Sequence, residues 1–309
     1  MSVAWVAGGV RARLLAAERC LGTDAAGRLA ASASLQDALV MLGRSPYRRE
    51  LGLELGLAEA QRAVAAKTLL DLRLLAGWLP GDALGLLRAL AAWYELANLE
   101  DRIAYLAGAP LRQPFELGSL ALAWPRAAGA QTLEELRQAL AASAWGDPAG
   151  ETPAGLGVGL RLAWARRAAD EAPEVRALAA GACALLVARE LFVVGFPVET
   201  LAPAAVPLLG QRWAEAVTFA RFVEALPGDA GWALAGIEGP EELWRAEARW
   251  WDRCEEHGQA LLRAGLGSRS VVIGAVTLLA CDAHRVVTAL EAAVRRGLRG
   301  VQEVLDAAV

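Results

Sequence analysis

Apolar positions recur at three- and four-residue steps through most of this chain, the period of helices that bury one face. Val6, Val10, Leu14, Ala17 and Leu21 make the first such seam, and Gly22 stops it. Ser34 with Asp37 has a capping-box form ahead of Leu35, Leu39 and Leu42, and Gly43 and Pro46 close that segment. Val64, Thr68, Leu72, Leu75 and Leu79 trace another seam that ends at Pro80-Gly81. Thr132 with Glu135 caps a helix bearing Leu133, Leu136 and Leu140, and Pro240-Glu241-Glu242 opens one bearing Leu243, Trp244 and Trp250. Val271 to Ile273 is β-branched, but the apolar period running on to Leu290 predicts helix there too. Strand and helix patterns never alternate, so the pattern predicts an all-α fold.

The run from Trp93 to Gly108 breaks the simple pattern. Leu84, Leu87, Ala91 and Tyr94 step along one face, and the next position on that seam is Asn98. An amide on a buried face must be paired or it costs stability. Asn98 with Glu95 and Asp101 is therefore expected to form an internal hydrogen-bonded brace between helices. Stretches rich in Gly and Pro at 109–114, 145–159, 196–207 and 227–240 read as connections inside a compact helical body.

Laying the Asn98 helix over Ala184–Gly195 and over Leu278–Gly297 brings Asn98, Glu190 and His284 to matching positions, 92 and 94 residues apart. Each copy is an apolar helix interrupted by polar residues at a similar depth. The spacing predicts three helical modules, placed at 1–116, 117–212 and 213–309.

Composition narrows the classes of function. The 309 residues are 56% hydrophobic with a net charge of −4, ample for burial-driven folding and without a basic field for nucleic acid. The most apolar run, Ala177 to Val198, is interrupted by Arg189 and Glu190, and the N-terminal apolar patch has its basic residues after it, the reverse of a signal peptide. A cytosolic chain is expected. Cys20, Cys183, Cys254 and Cys281 form no CxxC pair, so reduced thiols in packed helices are expected.

Several short elements resemble the rotor-capping subunit of the V-type and A-type rotary ATPases of eukaryotes, archaea and bacteria. They are Arg11-Ala12-Arg13 before Leu14-Leu15, Ser45-Pro46-Tyr47 ahead of Arg48-Arg49-Glu50-Leu51, Glu95 with Asn98-Leu99 and Ile103, and Asp282 to Arg296 followed by GLRGVQEVLDAAV. The resemblance spans nearly the whole chain. It departs in the second module, which keeps only Arg189-Glu190, and at His284 in the third. It implies three similar helical domains arranged with pseudo-threefold symmetry as a funnel. It also implies a peripheral place on the cytoplasmic side of a membrane, with the central shaft subunits and the proteolipid ring as partners. No covalent chemistry, cofactor or small-molecule substrate is implied. The alternative is a helical-repeat adaptor for another cytosolic partner.

Enzymatic motifs are missing. The chain has no P-loop, HExxH or G-x-S-x-G, and Gly155-Leu156-Gly157-Val158-Gly159 has neither the glycine spacing nor the preceding strand of a dinucleotide loop. No metal is expected, although both histidines sit in Cys-x-x-His. Cys254 with His257, and Cys281 with His284, would suit zinc if their helices packed face to face. The competing reading makes each cysteine a small hydrophobe and each histidine an ordinary helix-face residue.

Overall fold

A computed structural model describes residues 3–48, 52 and 54–307, with side chains described as far as residue 298. The Arg49-Glu50-Leu51 element of the resemblance and the side chains of the closing segment lie outside the described residues. Among the described residues every regular element is helical. The order is α1 (Val3–Arg19), α2 (Thr23–Ala30), α3 (Leu35–Leu42), α4 (Leu57–Ala76), α5 (Leu84–Leu106), α6 (Trp124–Ala127) and α7 (Leu133–Ala141). It continues with α8 (Pro153–Glu171), α9 (Arg176–Arg189), α10 (Val198–Leu209), α11 (Phe219–Ala225), α12 (Gly228–Gly231), α13 (Leu243–Leu262) and α14 (Arg269–Ala307).

Local chemistry explains many of the boundaries. Ser34, Thr132, Thr152 and Thr218 each accept a main-chain N–H three residues on, capping α3, α7, α8 and α11. Pro153 opens α8, where its missing N–H costs nothing. After α9 the chain makes one π turn from Glu190 to Val194 and is stopped by Gly195 at φ 81°, a left-handed conformation that a side chain would resist.

Two compact units emerge, one formed by residues 1–80 with 257–309 and the other by 81–256. In the first unit, Leu29, Leu39, Leu42, Tyr47, Val64, Val286 and Leu290 form one core, so the two ends of the chain share an interior. Two cores lie in the second unit among the described residues. One joins Leu96, Leu99 and Ile103 of α5 to Leu136, Leu140, Trp145 and Leu160. The other joins Leu162, Val187, Leu201, Trp213 and Phe222.

The seam of α1 runs opposite to expectation. Val6, Val10, Leu14 and Ala17 are exposed, and the helix packs through Gly8, Gly9, Ala12 and Leu15. The reason lies at Gly9, where a Cβ would collide with the main chain of Leu266. Backbone comes so close that only glycine fits, and the larger residues are turned away. Two helical stretches, Pro173–Val194 and Arg269–Leu298, are long and apolar enough to cross a membrane by length and composition, with 50% and 56% of their apolar windows buried inside the protein. Core helices of folded proteins share that property.

Candidate functional site

The polar interior is organised around two buried carboxylates, Glu95 on α5 and Asp282 on α14, which are 0% and 1% exposed. Glu95 Oε1 accepts the main-chain N–H groups of Leu122, Ala123 and Trp124 at 3.0, 2.7 and 2.5 Å, the donors left free at the start of α6. Its Oε2 accepts from Leu122 N at 3.0 Å and from the indole Nε1 of Trp145 at 3.0 Å. Asp282 repeats this arrangement. Its Oδ2 accepts from Leu21 N at 2.8 Å and its Oδ1 from Gly22 N at 2.9 Å, just before α2, while the Tyr47 hydroxyl donates to Oδ2 at 2.8 Å. A negative charge held at a helix N-terminus complements the dipole as well as the free N–H groups.

The likeness extends into the segments that supply the aromatic groups. Ser34 and Thr132, 98 residues apart, cap α3 and α7. Ser45 Oγ donates to Leu42 O at 2.7 Å and accepts from Tyr47 N at 3.1 Å. Ser143 Oγ does the same with Leu140 O at 2.7 Å and Trp145 N at 3.1 Å, so Tyr47 and Trp145 are delivered to their carboxylates by the same turn. Thr218 also caps a short helix, but Gly231 stands where the aromatic would be.

Burial patterns set the register of the long helices. Leu86, Leu87, Ala91, Ala92, Glu95, Leu96 and Asn98 on α5 are matched 92 residues on by Leu178, Ala179, Cys183, Ala184, Val187, Ala188 and Glu190, all buried. The third carboxylate is thus replaced by Val187, which shares an apolar cluster with Trp213 and Phe222. On α14, aligning Asp282 with Glu95 brings Arg285 opposite Asn98. The sequence overlay that put His284 there is shifted by one residue.

Asn98 and Asp101 serve different segments from Glu95. Asn98, fully buried, donates through Nδ2 to Phe115 O at 3.0 Å and accepts through Oδ1 from Phe115 N at 2.7 Å. It pins the connection after α5 to that helix, so its partner is the main chain of Phe115 and not the neighbouring helix that the sequence suggested. Asp101 lies nearer the surface, 3.4 Å from the mostly exposed Arg112. Arg102 donates to Ala130 O, tying the turn before α7 to the same face of α5.

Sequence patterns gave no warning of a second buried network. Lys67, the sole lysine, is 4% exposed and lies 2.9 Å from Asp71. Its ammonium also donates to Arg19 O at 2.7 Å and sits 4.3 Å from the Tyr47 ring centre. The i, i+4 spacing of Lys67 and Asp71 is visible in the sequence but is ordinary on an exposed helix face. Only their burial marks it out.

Among the described residues no three or more His, Cys, Asp or Glu side chains gather as a metal-binding group, so Cys254, His257, Cys281 and His284 are not assembled into a zinc tetrahedron. No disulfide joins the four cysteines. Burial, with Asp282 adding to it, pushes the Cys20 thiol up to about 12, and burial alone pushes Cys183 up to about 12. Burial also holds the His284 imidazole below its usual value. Since the thiolate is the nucleophile, Cys20 and Cys183 should resist iodoacetamide at pH 8 in the folded protein and react fully in urea. Mass spectrometry of the labelled chain checks this, and rapid native labelling of either residue would contradict it.

An open cleft of about 420 Å³ is lined by Trp232, Arg249, Asp252, Arg253 and Glu256, a mixed-charge surface with no buried acid or base. Together these features define an all-helical chain in which buried polar groups brace the backbone of neighbouring segments. Comparison with models of protein families and with curated proteins returns no match.

Proposed function

We propose that this chain is a non-catalytic coupling subunit of a V/A-type rotary ATPase, seated peripherally on the cytoplasmic side and joining the central shaft to the proteolipid ring. The observation that carries the reading is the repeated helix-capping device, whose first copy is completed by Asp282 of the last long helix. A linear array leaves its end repeats unpaired. Here residues 21–47 of the first repeat find their carboxylate on α14, so the first copy of the device is completed by the last long helix.

The energetics also favour a mechanical role. Torque passes through a body only if its elements do not slide, and carboxylates held by several main-chain donors fix each short helix to a long one. The test is reconstitution with purified shaft subunits and proteolipid ring. The expected result is co-elution with both, and recovery of ATP-driven ion uptake when the chain is added to vesicles carrying the complex without this subunit. Failure to bind either component would remove the reading and leave a helical adaptor for a different partner.

A further inference from the structure

A buried polar side chain without a partner is costly, and a carboxylate is among the costliest. Every other buried polar side chain among the described residues has a partner, from the Lys67–Asp71 pair to Glu95 and Asp282. Glu190 has none. It is 5% exposed, and among the described residues neither a hydrogen-bond donor nor a cation reaches its carboxylate. Arg189 is its neighbour in sequence, but adjacent helical residues face different ways, and Arg189 is exposed. The Glu190 oxygens are not sealed in the interior, as the unpaired indole Nε1 of Trp213 is; they reach the small surface that the residue keeps.

The chain path explains the gap. Glu190 opens the π turn that follows α9 and stands 92 residues after Asn98, at the same register of burial. Asn98 is satisfied by the main chain of Phe115, which the connection of residues 107–123 brings back to α5. After the π turn only residues 195–197 precede α10, so no comparable connection supplies a donor to Glu190. The i→i+5 bonding of a π turn places Val194 over the same side as Glu190. Val194 is 52% exposed and Val193 beside it 60%, which gives the carboxylate an apolar rim.

We infer that Glu190 is a socket for the guanidinium of an arginine on a different polypeptide, with the methylene stem of that arginine resting on Val194. Charge complementarity selects a cation, because a carboxylate can only accept hydrogen bonds. A guanidinium offers two parallel N–H groups to the two oxygens, and the methylenes behind it cover a rim that a bare ion would leave in water. A metal ion is a poor occupant, since among the described residues no three His, Cys, Asp or Glu side chains gather to hold one. Most of the water around Glu190 is already displaced, so a cation gains a stronger contact here than at a surface acid. Nothing in this pairing depends on the coupling role.

The probe is the peptide acetyl-Val-Arg-Val-amide, with citrulline in place of arginine as a neutral counterpart of nearly the same shape. Titrated into the full chain and followed by NMR, the arginine peptide should bind with a Kd of about 1 mM or tighter. Glu190→Gln should weaken that binding at least roughly tenfold, and the citrulline peptide should bind the unaltered chain no better. Glu199→Gln, at an exposed acid on α10, should leave binding unchanged. In the free protein Glu190→Gln should hold or raise the urea midpoint, the reverse of a substitution at Glu95, because no donor is orphaned. Equal binding of the two peptides, equal binding to the two proteins, or no binding by the unaltered chain would overturn the socket. So would a fall in the urea midpoint of Glu190→Gln, which would reveal a partner inside the protein. Loss in that variant of calcium binding or of concentration-dependent self-association would assign Glu190 to a metal ion or to a second copy, and would equally overturn the arginine socket.

Discussion

Glu95→Ala is expected to lower the unfolding free energy of the 81–256 unit by roughly 4 kcal/mol, and Glu95→Gln by nearly as much. Both oxygens are acceptors, Oε1 for three main-chain N–H groups and Oε2 for Leu122 N and the Trp145 indole. Alanine leaves these donors unpaired in an interior where Glu95 is 0% exposed. Glutamine keeps one acceptor but turns an NH2 donor toward other donors. Hydrogen bonds to a charged acceptor are worth roughly 1.5–3 kcal/mol each, and a shared acceptor makes them less than additive, which is why the sum is set near 4. Urea unfolding followed by tryptophan fluorescence gives the total, and amide exchange at Leu122, Ala123 and Trp124 shows whether the loss begins there. A glutamine variant within about 1 kcal/mol of the parent would mean that the carboxylate is not the acceptor of these bonds.

Asp282→Ala is expected to cost the other unit roughly 3 kcal/mol, with Asp282→Asn again close behind. Its oxygens take Leu21 N, Gly22 N and the Tyr47 hydroxyl, and Arg285 lies 3.6 Å away. The effect should be slightly smaller than at Glu95 because fewer main-chain donors are orphaned. Tyr47→Phe removes a single bond and should cost only about 1 kcal/mol. Residues 21–47 and α14 stand at opposite ends of the chain, so exchange should rise first around Leu21 and Gly22, far in sequence from the substitution. If protection there stays unchanged while stability falls, the loss has another cause than the missing cap.

Some of this device was legible. Ser34 and Thr132 announce their capped helices, and the same Ser-x-aromatic turn follows each at Ser45-Pro46-Tyr47 and Ser143-Ala144-Trp145. Those two segments, more than the long helices, carry the 98-residue repeat. Its carboxylates were less accessible. Glu95 stands out on an apolar helix, but Asp282 carries no such mark, and nothing local says that its partners lie about 260 residues away.

Apolar spacing and capping residues by themselves determined an all-helical chain and the helix starts at Ser34 and Thr132, since both act within a turn or two of the backbone, whereas the stretches 145–159 and 196–207 that read as connections hold the start of α8 and most of α10. The expected seams of α4 and α5 are largely buried, and tertiary structure reversed the buried face of α1. Periodicity marked Val6, Val10 and Leu14 as a seam, but the close backbone approach at Gly9 turned them outward. Tertiary structure also decided which charges became structural, because Lys67 and Asp71 acquire their role only when burial removes the water that would otherwise screen them.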